Sequence, residues 1–518
     1  MPEKKRLALR GFFLAAAVIL ATGAWLRLDQ AGRAPPFVDE GGHLLAGVDP
    51  EMRELIDPIG EGKPGMLWIF AAAQAWSHDP LAPARATSAL AGLVTAAAIG
   101  VTLFVFSGPA AALIGLGLWA LFPYAVFHER LALLDPFVAC FTACALAAAA
   151  LASAPGSTAK RLLLAALAGA LLGAACAVKI TGLLTLLWLA LGYVLLQRRF
   201  AQPLWDRRCL AFGTGFLAPL LPFAGSLQHL GERLSQRNLL PAAGAHGVLA
   251  SVATGIAGHL SSYLRWTFGY GGWPLALLIA AAVAAALLSR ERRGLGFAAA
   301  WLLSLALAGA VYHQAYARYT LADHVPFVIF LGAALALPFS ADAPRLRISY
   351  AAALTVAALA WFRVDWQIAR TPQLAPIPAD EIAQYLTGPW SGAGSEDVTQ
   401  LLVQRATHDH VSIVVFTQRF AKPGAYALML AARRTSGFTV VPATFDSPLA
   451  VGAMKAAVAR ARKILGPRLA VFVLAEGPFL DEAATLQNAG VRTTTVLNHI
   501  RPDGISGFAL LECDPVTM

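Results

Sequence analysis

Long apolar runs separated by short polar connections fill the first two thirds of the chain. Most runs approach the roughly 20 residues that a helix needs to cross the hydrocarbon core of a bilayer. The pattern predicts eleven transmembrane helices, at about 11–26, 86–106, 110–127, 136–152, 160–178, 182–196, 209–228, 272–289, 295–312, 320–338 and 346–363. The first run resembles a signal peptide, with a weak cleavage site at Thr22-Gly-Ala24, but the many runs after it favour an uncleaved helix. We therefore expect a polytopic α-helical membrane protein.

The polar connections assign a membrane side to each helix end, because cytoplasmic connections are enriched in Lys and Arg. Fifteen such residues lie in five short segments: Lys4, Lys5, Arg6 and Arg10; Lys160 and Arg161; Arg198, Arg199, Arg207 and Arg208; Arg290, Arg292 and Arg293; Arg345 and Arg347. This pattern places the N-terminus in the cytoplasm and the C-terminal domain outside. The connections alternate consistently between the cytoplasmic and outer sides only if residues 66–77 do not cross the membrane. These residues are too few to cross and would form a surface helix in the first outer loop, 28–85. The alternative is thirteen spans.

The polarity of the chain changes at about residue 364, so we predict a membrane domain at 1–363 and an extracytoplasmic domain at 364–518. Short buried strands are predicted at 412–416, 438–441, 469–474, 492–497 and 507–511, with helices between them near 396–407, 423–434, 447–463 and 481–489. This alternation is typical of a small α/β domain with a mostly parallel sheet. A second outer loop, 229–271, is either an amphipathic helix on the bilayer or a lid.

Composition supports the membrane assignment. Of 518 residues, 58% are hydrophobic and only 14% are charged, against about 25% in ordinary soluble domains. These values exclude a soluble enzyme, a disordered chain and a coiled coil. The net charge of +10 reflects the cytoplasmic connections and requires no nucleic-acid partner. Five cysteines without a paired motif and the absence of a Gly-rich phosphate loop give no reason to expect a redox or nucleotide cofactor.

Ionisable residues recur at the predicted outer ends of the spans. They are Asp39-Glu40 in a Pro- and Gly-rich loop, Lys63-Pro64, the segment from His128 to Asp135-Pro136, Lys179, and Tyr316-Ala-Arg318-Tyr319. Each also has a simple structural interpretation. Asp39-Glu40 would be a solvated turn, Lys63-Pro64 a helix start and Asp135 a helix N-cap. Lys179 would be a snorkelling lysine, and the segment 316–319 an interfacial anchor. Together they bring carboxylates and cations to one face of the membrane. Cations can hold a lipid-linked phosphate and a carboxylate can deprotonate an acceptor hydroxyl, which predicts group transfer from a lipid phosphate.

The ordered set Asp39-Glu40, Lys63-Pro64, Arg85, Arg130 to Asp135-Pro136, Lys179-Ile-Thr-Gly and Arg318-Tyr319 resembles the GT-C superfamily. The resemblance covers about residues 8–340. It is greatest to the branch related to dolichyl-phosphate-mannose protein mannosyltransferases and aminoarabinose transferases of lipid A. It implies a glycosyltransferase of the cytoplasmic (inner) membrane that uses a polyprenyl-phosphate sugar, inverts the anomeric centre, and acts on a lipid, glycan or protein acceptor.

The resemblance also implies roles for individual residues. Asp39 would be the general base, with Glu40 in support, and Asp135 would shape the acceptor site or a metal site. The donor phosphate would face Lys63, Arg85, Arg130, Lys179, Arg318 and Tyr319. The acceptor side would include His128 and His43, which stands where the family commonly has a Tyr. A divalent metal ion at Asp39 or Asp135 is the one cofactor left open. The stretch Tyr385-Leu-Thr-Gly-Pro-Trp-Ser-Gly-Ala-Gly394 resembles extracytoplasmic domains of such enzymes.

Two other classes of protein are weighed against the glycosyltransferase. A secondary transporter would place ionisable groups in mid-membrane and often shows internal repeats, whereas the third reading is a non-catalytic scaffold whose tail binds a partner. Two further motifs are expected to be structural. His408-Asp-His410 is predicted to be a polar turn rather than a metal site, and Gly169 and Gly173 are predicted to allow close helix packing.

Overall fold

The computed structural model describes residues 3–58, 62–74, 80–200, 203, 205–226, 245–289, 295–311, 316–340, 344–418, 422–443, 448–476, 480–514 and 516–518. The chain divides into two compact units. The first comprises Met1–Ala31, Asp57–Met66 and Arg85–Pro378, and the second comprises Gly32–Ile56, Leu67–Ala84 and Ala379–Met518. Most of the predicted first outer loop therefore groups with the C-terminal domain. The first unit extends beyond residue 363, where the sequence placed its end.

Helices make up most of the described chain. They are α1 (Glu3–Leu28), α2 (Val38–Val48), α3 (Pro50–Ile56), α4 (Met66–Gln74), α5 (Leu81–Ser107), α6 (Pro109–Ala120), α7 (Pro123–Glu129), α8 (Asp135–Ser153), α9 (Thr158–Val178), α10 (Thr185–Arg199), α11 (Arg207–Leu217), α12 (Ala245–Ser289), α13 (Leu295–Val311), α14 (His324–Ser340), α15 (Pro344–Arg370), α16 (Ala379–Ile382), α17 (Ser395–His408), α18 (Pro423–Arg434), α19 (Pro448–Leu465) and α20 (Leu480–Asn488).

The described part of each of the eleven predicted apolar runs lies mostly in helical segments, whereas residues 227, 228 and 312 of these runs lie outside the described residues. Among the described residues, seven helices are long and apolar enough to cross a membrane, and the bent pair α6 and α7 would be an eighth. The protein is therefore a multi-pass membrane protein, although the predicted number of eleven spans is not confirmed by this count. The predicted surface helix exists as α4, which has nine residues and is too short to cross.

Two breaks in the helices have identifiable causes. The run 110–127, predicted as one span, is bent by 55° between α6 and α7, where Pro123 starts the second helix. In α12 the backbone is non-helical at Gly272, with φ of +58°, two residues before Pro274. The indole of Trp361 donates to the carbonyl of Gly271 (2.8 Å) at this kink, which satisfies a carbonyl beside the break.

Part of the loop predicted at 229–271, as an amphipathic helix or a lid, is described by the structure. Residues 245–271 are helical and belong to α12, whereas residues 227–244 lie outside the described part of the chain. Arg290, Arg292 and Arg293 also lie outside it. The helix that ends the first unit, α15, continues to Arg370, past the predicted boundary, because Trp361 and Ile368 continue its buried face.

Glycines allow α9 and α11 to pack closely in the first unit. A Cβ atom at Gly169 would lie 2.0 Å from the carbonyl oxygen of Phe212, and one at Gly173 would lie 2.3 Å from that of Phe216. No side chain fits between these backbones. The predicted structural role of the two glycines is therefore confirmed.

The second unit contains a five-stranded sheet. Its strands are β1 (Ser412–Gln418), β2 (Phe438–Ala443), β3 (Leu469–Glu476), β4 (Thr493–Ile500) and β5 (Gly507–Cys513). They are ordered β2-β1-β3-β5-β4, and β1 is parallel to both β2 and β3. β5 is antiparallel to both β3 and β4. All five predicted strands are present, but the prediction of a mostly parallel sheet is wrong, because half of the pairings are antiparallel.

Helices cover both faces of this sheet. Val415 on β1 packs with Leu402 of α17 and Leu428 of α18 on one face, whereas the neighbouring Val414 packs with Val458 of α19 on the other. This alternation is the expected period of two along a strand. His408 is the exposed last residue of α17, and His410 lies in the exposed turn before β1. The His408 imidazole contacts Asp409 (3.0 Å). The turn agrees with the structural interpretation of this motif.

Candidate active site

Lys63, Asp135, Lys179, Arg318 and Tyr319 form a cluster in the first unit where α9 ends, called the corner below. The helix stops at Val178, and Lys179 adopts an extended conformation before the 3₁₀ turn Ile180–Leu184. The backbone of residues 62–65 lies against this turn, with Gly65 N donating to Ala177 O (2.8 Å) and Ile180 N donating to Gly62 O (2.9 Å). Gly65 has no space for a side chain, since its Cβ would lie 2.8 Å from Val178 Cα. This backbone contact brings Lys63 into the electrostatic neighbourhood of Lys179.

Asp135 is the acidic partner of Lys179. It is the first residue of α8, and its carboxylate lies 2.6 Å from the ammonium of Lys179, with both side chains 7% exposed. The sequence allowed a helix N-cap at this position. The N-cap is instead Leu134, and the carboxylate is directed to the lysine. A buried ion pair of this length is a strong, charge-assisted contact.

Arg318 and Tyr319 complete the corner. They lie in the 3₁₀ turn Ala317–Thr320, which places the Tyr319 ring 3.8 Å from the ammonium of Lys179. The guanidinium of Arg318 lies over the rings of Tyr316 (4.8 Å) and Tyr319 (5.2 Å). Contacts of this kind hold a cation in position by cation–π attraction. A small pocket is lined by Asp135, Val138, Thr181, Leu184, Thr185, Arg318, Tyr319, Ala322 and Asp323.

The charge of the corner depends on pH through Lys179. Burial lowers the pKa of Lys179 to about 8, against the opposing effect of Asp135, and the positive charges of Lys63 and Arg318 add to the lowering. Asp323, which the sequence reasoning missed, contributes a second buried acid to the pocket. The corner therefore holds three cations and two acids, an arrangement suited to binding a singly charged anion.

The turn that carries Arg318 is anchored by Tyr124, a residue that the sequence reasoning also missed. The Tyr124 hydroxyl donates to Ala317 O and lies 2.7 Å from Thr320 Oγ1. Its ring packs in a tilted arrangement against that of His324, with 4.2 Å between centroids. His128, predicted on the acceptor side, is fully buried in the same aromatic cluster, with Nδ1 2.9 Å from Tyr124 O.

Arg85 and Arg130 occupy a different place in the first unit. Arg85 donates to Ala31 O (2.7 Å), and Arg130 donates to Leu26 O and to Asp29 O (2.8 Å). Arg130 therefore satisfies carbonyls at the C-terminal end of α1, a common role of arginine there. Arg85 satisfies a carbonyl in the turn that follows, Ala31–Arg33. The charged neighbours that act on Arg130 are Arg85, Asp29, Arg27 and Asp365. A role of Arg85 and Arg130 in holding the donor phosphate stays a prediction.

Asp39, Glu40 and His43 belong to the second unit, on α2. Asp39 lies in the first helical turn and is half-buried, whereas the carboxylate of Glu40 is fully buried and accepts from Phe37 N (2.9 Å). Glu40 thus caps the helix start, which agrees with a supporting role. The imidazole of His43 stacks on Phe70 at 5.9 Å between centroids.

Among the described residues, no three His, Cys, Asp or Glu side chains come together in a way that could hold a metal ion. Asp135 has the ammonium of Lys179 as its partner. Dependence on a divalent metal stays a prediction that the residues described here do not support.

The fold and the corner define a class of protein, a multi-pass membrane protein with a buried site of clustered cations. The family model described as dolichyl-phosphate-mannose-protein mannosyltransferase matches residues 49–246. No curated protein matches the chain in sequence.

Solved structures share the fold. The chain is similar to ArnT from Cupriavidus metallidurans in the apo state, with 16% identity, a TM-score of 0.60, and coverage of 97% of this chain and 98% of that one. For the same protein bound to undecaprenyl phosphate, the identity is 17%, the TM-score is 0.56 and the coverage is 98% of both chains. The match to the family model supports the predicted resemblance to dolichyl-phosphate-mannose protein mannosyltransferases over residues 49–246, and the chain shares its fold with ArnT.

Proposed function

We propose that this protein is a glycosyltransferase that moves a sugar from a polyprenyl-phosphate donor to an acceptor hydroxyl at the outer face of the cytoplasmic membrane. The observation that carries the proposal is the corner in which the buried cations Lys179 and Arg318 lie close enough to Lys63 for the charges of Lys63 and Arg318 to act on Lys179. Its support from similar proteins is the mannosyltransferase family model and the ArnT structure that holds undecaprenyl phosphate. In this proposal the N-terminus is cytoplasmic and the C-terminal domain periplasmic.

The donor phosphate would be held by the cations of the corner. A phosphodiester carries one negative charge, and Arg318 and Lys179 are held in place by Tyr319, so little side-chain entropy remains to be lost on binding. When the bond between the sugar and the phosphate oxygen breaks, the electron pair stays on that oxygen. Fixed cations stabilise this developing charge, which is the main electrostatic contribution to such a reaction.

The acceptor would attack the anomeric carbon from the face opposite the phosphate, which inverts that centre. A new bond forms between the acceptor oxygen and the anomeric carbon as the bond to the phosphate breaks. The hydroxyl proton of the acceptor passes to the carboxylate of Asp39, the general base in this proposal. The products are the glycosylated lipid, glycan or protein and free polyprenyl phosphate.

Turnover of radiolabelled polyprenyl-phosphate sugars by the purified protein tests the proposal. Asp39→Asn should abolish transfer while donor binding and folding persist, and Glu51→Gln, on an exposed carboxylate of the nearby α3, should behave as wild type. Lys63→Ala and Arg318→Ala should each weaken donor binding about 10- to 100-fold, as expected for a lost charge-assisted hydrogen bond. An Asp39→Asn protein with normal turnover would remove the assignment of the base.

The two rival classes give different results in the same experiments. A secondary transporter would take up a solute into liposomes without turning over the lipid-linked sugar. A scaffold would show neither uptake nor turnover. Failure of every polyprenyl-phosphate sugar to react or bind would overturn the proposed function itself.

A further inference from the structure

The segment that carries Asp39 is bound to the C-terminal domain through its backbone. Both belong to the second unit. Val38 N donates to Trp390 O (3.0 Å), and Gly392 N donates to Pro36 O (2.8 Å), so that Phe37 and Ser391 face each other in an antiparallel bridge. Backbone hydrogen bonds on both sides of Phe37 therefore fix the point at which α2 begins.

The partner in this bridge is the Gly-rich strap, residues 388–394. It lies within the Tyr385–Gly394 stretch that resembles other extracytoplasmic domains. Gly392 must be glycine, because a Cβ atom there would lie 2.8 Å from Pro36 O. The ring of Phe37, 3% exposed, packs in a tilted arrangement against the buried ring of Tyr385, with 4.6 Å between centroids. The strap therefore holds the first-loop segment by backbone contacts, and the neighbouring Tyr385 adds a side-chain contact.

A second contact holds the helix that follows. α2 packs on α18 of the C-terminal domain at Gly41, where a Cβ atom would lie 2.6 Å from the Cβ of Tyr426. Real Cβ atoms do not approach so closely, so any side chain at Gly41 must displace α2 from α18. Tyr426 is itself 3% exposed and stands on a helix packed against the central sheet. Gly42, one residue later, has space for a methyl group, with its nearest neighbour at 3.4 Å.

We infer that the C-terminal α/β domain is a positioning element for the general base. The Gly-rich strap fixes the start of α2, and Tyr426 fixes its distance from α18. Together these contacts set the direction of the Asp39 carboxylate, which lies one residue into the helix. Tyr426 and the strap act through Asp39 and do not touch the reacting atoms. The inference rests on the proposed function.

The decisive comparison is Gly41→Ala against Gly42→Ala in the full-length protein. Both changes replace a helical glycine by alanine, so both favour the helix to the same extent. Only the first brings the new Cβ atom into overlap with Tyr426, since at Gly42 the nearest Tyr426 atom would lie at an ordinary contact distance of 3.5 Å. We expect Gly41→Ala to lower kcat about 10- to 100-fold, because a small misplacement of a reacting group has an effect of this size. Donor Kd should stay within about twofold of wild type, since the proposed phosphate-binding cations belong to the other unit. Gly42→Ala should retain wild-type kcat.

Recovery of kcat in a double variant distinguishes misplacement of Asp39 from general damage to the fold. Tyr426→Gly removes the Cβ atom that the new methyl group meets, so Gly41→Ala with Tyr426→Gly should recover most of the lost kcat. Tyr426→Ala keeps that atom, and its combination with Gly41→Ala should not recover. If Gly41→Ala fails to fold, Gly392→Ala, whose Cβ meets Pro36 O, provides the same measurement of kcat against donor Kd.

The outcomes distinguish this inference from the proposed function. If Asp39→Asn turns over normally, the assignment of the base fails whatever the glycine variants do. If Asp39→Asn is inactive but Gly41→Ala matches Gly42→Ala in kcat, the positioning inference alone is overturned. It is also overturned if Gly41→Ala weakens donor binding as much as it lowers kcat, or if Tyr426→Gly and Tyr426→Ala rescue equally.

Discussion

Lys179 and Asp135 are 44 residues apart in the chain and form an ion pair of 2.6 Å between the end of α9 and the start of α8. The pair keeps a buried ammonium charged beside two other cations. Because burial and the charges of Lys63 and Arg318 still lower the pKa of this lysine to about 8, its protonation should change in a range accessible to experiment.

Donor binding should therefore depend on pH through Lys179. The charged lysine attracts the phosphodiester and the neutral lysine does not, so affinity should fall as pH rises through about 8. Between pH 7 and pH 9 the protonated fraction falls about tenfold, and the affinity of the free enzyme should fall by a similar factor. Equilibrium binding of a phosphodiester donor analogue, which does not itself titrate in this range, measures the effect.

Lys179→Arg is the matched variant, since arginine stays charged throughout this range. It should bind with little pH dependence, whatever its affinity at pH 7. Lys160→Arg, on an exposed lysine at the start of α9, should keep the wild-type profile. A flat wild-type profile, or equal slopes for Lys179→Arg and wild type, would contradict the assignment of this lysine to the phosphate.

Tyr124 should contribute to donor binding without touching the donor. Its hydroxyl binds Ala317 O and Thr320 Oγ1, the two ends of the turn that carries Arg318. Tyr124→Phe removes these contacts and should weaken donor affinity about 2- to 10-fold, the equivalent of one neutral hydrogen bond. The measurement is donor Kd, with thermal unfolding recorded in parallel.

Tyr263→Phe provides the control for this effect. The Tyr263 hydroxyl accepts from Trp301 Nε1 (2.8 Å), and its ring stacks on the same His324, but it makes no hydrogen bond to the turn in the described residues. This change should lower stability by a comparable amount and leave donor affinity unchanged. Equal donor affinities in the two variants would show that the turn does not depend on Tyr124.

Local patterns were sufficient to predict the elements of the C-terminal domain, because its strands are short apolar runs separated by helical ones. The relative direction of neighbouring strands also depends on the length of the connection between them. β4 and β5 are joined by residues 501–506, too few for the crossover that a parallel pair requires, so this pair had to be antiparallel. The alternation of helices and strands alone does not include this limit on length, so it predicted a mostly parallel sheet.

The candidate site was predictable only where its residues stand at helix ends. Lys179, Asp135 and Arg318 were found because ionisable groups beside apolar runs are unusual. Tyr124 and His324 were missed, since aromatic residues and a histidine within apolar runs are typical of a core. The bridge between Phe37 and Ser391 joins residues more than 300 positions apart, and no local pattern marks such a pairing.

The buried pair of Arg27 and Glu129 should be the most sensitive electrostatic contact in the first unit. Nε and Oε2 are 2.6 Å apart, and both side chains are fully buried. Arg27 also donates to Ala120 O (2.8 Å), and Glu129 accepts from Trp119 Nε1 (3.0 Å). Gly92 leaves the space that the carboxylate occupies, since a Cβ there would lie 2.0 Å from Oε2.

Glu129→Gln leaves the Arg27 charge buried without its counter-ion, which typically costs about 3–5 kcal/mol. Glu396→Gln breaks an exposed pair, with Arg434 (3.0 Å) and the acid 62% exposed, and should cost no more than about 1 kcal/mol. Thermal and denaturant unfolding in detergent measure both. Replacing Arg27 and Glu129 together by Met should cost less than Glu129→Gln alone, because the buried guanidinium is then removed together with its acid. Equal losses for Glu129→Gln and Glu396→Gln would show that the buried pair does not stabilise the helical bundle.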